Sequence, residues 1–110
     1  MKVIGLNEEK ISRLCDIFMS RMRIEGDDGS ERELVLGFMA SGMDYLSGIA
    51  CGADIDFETD TRAKELLYNY VFYSRSECLA EFEKNYGAML RSLRSAARVK
   101  ARKAEENAEA

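Results

Sequence analysis

The heptapeptide DIDFETD, residues 54–60, places an acid at every second position. In extended backbone Asp54, Asp56, Glu58 and Asp60 would share one face, an arrangement that metal-dependent hydrolases use to hold a cation. Like charges so placed repel, so they need either a cation or full solvation. The simpler reading is a solvated acidic loop leading into a helix cap; a hydrolase site built on Asp54, Asp56 and Glu58 is the competing one. A second acidic stretch, RIEGDDGSERE at 23–33, carries five acids and two glycines. It fails as a calcium loop. With Gly29 at the sixth position, Ile24 falls where the first acid is required, and Gly26 there puts Met22 and Arg23 among the preceding positions. Its acids read as residues around a helix amino terminus, where the macrodipole favours them.

Other chemistry is limited by composition. The 110 residues include no histidine, which removes Ser-His and Cys-His mechanisms and the commonest general base. Cys15, Cys51 and Cys78 are odd in number, widely spaced and form no CxxC pair, so they read as reduced thiols rather than as zinc ligands. No catalytic residue, metal ligand or cofactor is assigned. The remaining charged feature is basic: Arg91, Arg94, Arg98, Lys100, Arg102 and Lys103 occur with no acid between them. Such a run suits a helix carboxy terminus, nucleic-acid phosphates or an acidic partner protein. No aromatic or base-reading pattern accompanies it.

These residues need a scaffold, and the composition points to helices. The chain has no proline, and alanine, leucine, methionine, glutamate, lysine and arginine are abundant. An all-α bundle of four helices is expected, at about 7–24, 30–48, 60–74 and 76–100, as a helical domain over 1–97. A charged tail, 98–110, is expected to be frayed or disordered. Asn7 can cap the first helix, whose apolar face is Ile11, Leu14, Cys15, Phe18 and Met22, and Gly26 should loosen its end. Ser30 and Glu33 have capping-box spacing for the second helix, and Gly48 with Gly52 should end it. Its stripe of Val35, Phe38, Met39, Tyr45, Leu46 and Ile49 is interrupted by Gly37, Ala40, Ser41 and Gly42, which suits close approach of another helix. Thr59 or Asp60 caps the third helix, with Ala63, Leu66, Leu67, Tyr70, Val71 and Ser74 on its stripe. Tyr68, Phe72 and Tyr73 lie off that stripe, as on a central or subunit-facing helix. A second capping box, Ser74 to Glu77, should open the fourth helix, buried through Leu79, Phe82, Tyr86, Met89, Leu90 and Leu93. No stretch approaches the roughly 20 apolar residues of a membrane span, and the amino terminus turns polar before a signal sequence could form. A soluble chain made in a cytoplasm is the expectation.

Three stretches in order, RIEGDD (23–28), MDYLSGIACG (43–52) and RAKELLYNYVFYSRSECLAEFEKNYGAMLRSL (62–93), resemble the tailed-phage head–tail connector family, also termed head-completion or DNA-packaging adaptors. The shared elements are an acid-glycine-acid joint after the first helix, an RAKELL-x-x-Y helix, and a last helix with EFE-x-N-(Y/F) and L-x-S-L. The resemblance spans residues 11–94. It implies a non-enzymatic, all-helical virion subunit that assembles into a ring of roughly twelve or thirteen copies. That ring would sit at the head–tail junction beneath the portal protein, meet a downstream head–tail joining or tail protein, and pass DNA without sequence recognition. It would be made in the bacterial host cytoplasm and touch no membrane. Under this reading Gly37, Ser41, Tyr68, Phe72 and Tyr73 are the expected subunit contacts. Arg91, Arg94, Arg98, Lys100 and Arg102 are the expected portal or channel contacts. The segment 50–60 and everything after Leu93 depart from the family pattern, so neither inherits a role from it. A small nucleic-acid-binding accessory protein using the same basic residues is the alternative from another class.

Overall fold

The computed structural model describes residues 4–24, 29–52 and 55–109, with side chains from 8 to 106 within those ranges. Among the described residues there are five α-helices and no strand: α1 (Ile4–Arg21), α2 (Ser30–Ile49), α3 (Thr61–Arg75), α4 (Leu79–Asn85) and α5 (Gly87–Glu109). Gly26, Asp27, Asp28 and Asp54, to which the sequence assigns joint, turn and acidic-loop roles, lie outside the described residues. The all-α expectation holds, but the four-helix expectation does not. The segment expected as one helix over 76–100 is two helices that meet at Tyr86. Tyr86 leaves helical geometry, its ring stacks on Phe82 at 5.3 Å, and its hydroxyl donates to Asn69 Oδ1 at 3.0 Å. The weak helix formers Asn85, Tyr86 and Gly87 make a break there inexpensive.

The central pair is α2 against α3, the most extensive packing in the molecule. Gly42 makes it possible: a Cβ there would lie 2.8 Å from both Leu67 Cδ1 and Tyr70 Cδ1. Helix α1 lies on α2 and delivers Leu14, Cys15 and Phe18 to the core, beside Val35, Met39 and Leu46. From α3 come Ala63, Leu66, Leu67, Tyr68, Tyr70 and Val71, a burial arc wider than one stripe, as befits the helix in the middle. Phe82 anchors α4, while Leu90 and Leu93 anchor α5. Beyond Ala97 every described side chain of α5 is exposed, although the helix continues to Glu109, past the expected limit at residue 100. The molecule is accordingly elongated, 55 × 34 × 21 Å.

Helix ends correct several expectations. Helix α1 begins at Ile4, so Asn7 lies inside it rather than capping it. Gly29, in left-handed conformation (φ 82°), caps α2, and the Glu33 amide donates to the Gly29 carbonyl at 3.0 Å; Ser30 is therefore the first helical residue. Gly48 is helical, and α2 ends after Ile49. Ser74 is also helical, within α3, and Glu77 is left-handed (φ 58°), so Ser74–Glu77 closes one helix instead of opening the next. Asp60 caps α3 as expected, its side chain accepting from the Ala63 amide at 3.1 Å.

Three helices end in the same way. After α1, Arg23 donates to Ser20 and Ile24 to Met19; after α2, Cys51 donates to Gly48 and Gly52 to Ser47. After α3, Glu77 donates to Ser74 and Cys78 to Tyr73. These are Schellman motifs, and in each the left-handed position is non-glycine: Arg23 (φ 55°), Cys51 (φ 58°) and Glu77 (φ 58°).

Candidate interaction surfaces

The described part of the acidic segment, 55–60, turns rather than extends, and its acids take up separate bonds. The Asp60 amide donates to the Asp56 carbonyl at 2.9 Å, winding residues 56–60 into one tight turn. Asp56 Oδ1 accepts from the Glu58 amide at 3.0 Å, and Asp60 is committed to the α3 cap. Glu58 faces Arg13 of α1 in a two-bond fork, 2.8 Å at each oxygen. The Arg13 guanidinium holds the Glu58 carboxyl below the usual carboxylate range, and the Glu58 amide does the same for Asp56. These acids therefore close a turn, cap a helix and tie the turn to α1. Among the described residues no three cysteines or acids cluster closely enough to hold a metal ion.

The thiol of Cys15 is equally unsuited to nucleophilic work. Cys15 is fully buried, and burial pushes its pKa up despite Arg32 Nη1 at 3.8 Å from the sulfur. Arg32 is there for another reason: it crosses from α2 to bond Asp16 and Ser12 Oγ, the latter at 2.6 Å, and so fixes α1 against α2. Arg75 reaches Glu31 at 3.5 Å to join the far end of α3 to the start of α2, and Arg62 donates to Ser92 Oγ at 3.1 Å to join α3 to α5. Sequence patterning alone gives no sign of these clamps, because each pairs residues far apart in the chain.

The five expected subunit contacts fall in different surroundings. Tyr68 is buried: its ring lies 5.8 Å from Phe18 and beneath the Arg21 guanidinium, and among the described residues its hydroxyl has no hydrogen-bond partner. Tyr73 is half-buried in an aromatic cluster around Phe82, with Tyr70, Tyr86 and Tyr45 as the other members. Tyr68 and Tyr73 are therefore chiefly core-forming. Phe72 is 41% exposed, and with Met22 (38%) it lines a shallow cleft at the end of α1 that Phe18, Arg21 and Asn69 complete. Gly37 and Ser41 are exposed on α2 with Leu34 (50%), one and two turns along the same side. Gly37 precedes Gly42 by five residues and Phe72 follows Leu67 by five, so each is about 140° around its helix from the α2–α3 contact. Leu34 and Ser41 lie about 80° and about 100° from Gly42 on that same side, so the Leu34–Gly37–Ser41 patch flanks the α2–α3 contact on α2, and the Met22–Phe72 patch is a separate surface beyond α1 and on α3.

The basic residues are all exposed on α5. At about 100° per residue, Arg91, Arg94, Arg98 and Arg102 fall within an arc of about 80°, beside the buried face. Lys100 and Lys103 fall elsewhere on the circumference, Lys100 at the rim of a small cleft that Asp56, Asp60 and Arg62 also line. An open cleft of about 530 Å3 lies between α1, α2 and the 55–58 turn, floored by Ile11, Leu14, Met43 and Phe57. Its polar rim is Lys10, Ser41, Asp44, Ser47 and Glu58. No helix among the described residues is long and apolar enough to cross a membrane. Compared with protein families, curated proteins and solved structures, the chain gives no match.

Proposed function

We propose that the chain is a ring-forming subunit of a tailed-phage head–tail connector, acting through protein–protein contacts and without catalysis. The observation that carries this reading beyond the sequence resemblance is a pair of separate exposed patches, one around Leu34 on α2 and one around Met22 and Phe72. A closed ring is built from a heterologous contact, in which one face of each subunit meets a different face of its neighbour. Leu34, Gly37 and Ser41 supply one such face, and Met22 and Phe72 the other. Helix α5, leaving the packed body after Ala97, carries its basic residues toward the portal or the channel. Sedimentation velocity and mass photometry across a concentration series test the assembly. Rings of about a dozen subunits are expected, and Leu34→Glu or Phe72→Glu should each abolish them while the circular dichroism spectrum stays helical. A protein that stays monomeric at high micromolar concentration, encoded away from portal and capsid genes, would sink the proposal.

A further inference from the structure

Of the two destinations for α5, portal protein or channel, the chemistry of its basic row favours the channel contents. Arg91, Arg94, Arg98 and Arg102 form a straight row, and eleven residues of helix carry it over about 16 Å. Along the path of one duplex strand, where about 3.4 Å of axial rise and the helical rotation together set successive phosphates about 6–7 Å apart, that length spans about three phosphates. All four members are arginine, whose planar fork matches phosphate oxygens in pairs, and the off-row cations are lysines. Arg91 lies back along the helix over Gly87, where a Cβ would come within 3.3 Å of its Nη1, so the row begins close to the helix surface. A docking site for an acidic protein needs a desolvated apolar or aromatic anchor among its charges. The residues immediately flanking the row are Ser95 and Ala101; the exposed large apolar residue of α5, Val99 (49%), stands about 60° around the helix from Arg102, outside the row. Glu105 then ends the row on the same face.

We infer that α5 is a sequence-independent contact for duplex nucleic acid, with the four-arginine row laid along one phosphate strand. The connector reading supplies only the source of the duplex; the contact is a property of α5 itself. Phosphate contacts fix position without reading bases, so affinity should be independent of sequence and steeply dependent on salt. The test is fluorescence anisotropy of a labelled random-sequence 24-base-pair duplex with the full-length protein, from low to physiological salt. Binding is expected at low salt, weakening to a Kd on the order of 10 to 100 µM near physiological salt. Arg98→Glu/Arg102→Glu should cost at least about tenfold and lower the log–log salt slope by about two. Lys100→Glu/Lys103→Glu, with the same change in net charge on the same helix, should cost several-fold less. No binding at low salt would overturn the inference, as would equal losses for the two double variants. Polyglutamate that binds as tightly as the duplex would also overturn it, in favour of an acidic protein partner. Ring formation is read in a separate experiment, so failure there leaves this result distinguishable.

Discussion

At the residue scale, three helix ends depend on side chains that the backbone does not suit. Arg23, Cys51 and Glu77 sit at positive φ, where a Cβ approaches the following carbonyl oxygen and costs roughly 1–2 kcal/mol relative to glycine. Arg23→Gly and Glu77→Gly should each stabilise the fold by about 1 kcal/mol, with the greater freedom of glycine in the unfolded chain taking back part of the gain. Urea unfolding checks this, and a lower midpoint in either variant would contradict the assigned backbone geometry. The Arg13–Glu58 fork makes a prediction in pH. The Glu58 carboxyl is held below its unfolded value, so its contribution is complete above the ordinary carboxylate pKa of about 4.3 and is lost as pH falls through the depressed value. Glu58→Gln should therefore lower the urea midpoint at neutral pH and make no difference once the pH lies well below the depressed value. The pair faces solvent, so the neutral-pH difference should be small and shrink in high salt. An unchanged difference at low pH would mean that the fork is not its source.

At the scale of elements, the two glycines of α2 separate packing from assembly. Gly42 lies against Leu67 and Tyr70, so Gly42→Ala sets an overpacking cost of about 1–3 kcal/mol against a helix-propensity gain of about 1 kcal/mol. A net loss of stability is expected. Around Gly37 a Cβ would meet nothing within 4 Å, so Gly37→Ala should stabilise the isolated subunit by about 0.8–1 kcal/mol. If Gly37 is a subunit contact, the same change should weaken assembly, opposite in sign to its effect on the fold. Thermal unfolding of both variants with sedimentation velocity of Gly37→Ala decides this; a stabilised variant that assembles normally removes Gly37 from the interface. Most helix positions were legible in the sequence because apolar spacing of three and four marks a buried face whatever its partner is. Leu14, Val35, Leu67 and Phe82 are examples, all buried as their spacing requires. Ends and breaks were less legible. Capping-box spacing at Ser30 and Ser74 is compatible with several local geometries, and tertiary contacts chose among them. The split at Tyr86 follows from its contacts with Phe82 and Asn69, and the latter lies 17 residues away. Of the candidate surfaces, the sequence marked the basic run, Gly37, Ser41 and Phe72; it left Leu34 unmarked and placed Met22 on the buried face of the first helix, whereas Met22 follows α1 and is 38% exposed. The division into two outer patches depends on which face of α2 meets α3, which patterning leaves open.

At the scale of the whole molecule, two unlike patches make a statement about symmetry. A two-fold dimer would use one patch on both subunits, whereas a ring must join unlike patches head to tail. Leu34→Glu blocks one face and leaves the Met22–Phe72 face intact; Phe72→Glu does the reverse. Each variant alone should be monomeric, because every contact in a homogeneous solution needs both faces. Mixed in equal amounts, the two should pair once, through the intact face of each, and stop at a heterodimer because both outward ends carry a buried-face glutamate. Sedimentation velocity of the mixture should therefore show a dimer boundary absent from either variant alone, at concentrations where the unmodified chain forms rings. Two-fold pairing gives a different pattern: the variant altered outside its interface would dimerise by itself, and mixing would add nothing. The mixing experiment thus tests the handing of one face to the other, which a ring requires and a simple dimer does not, independently of what passes through its centre.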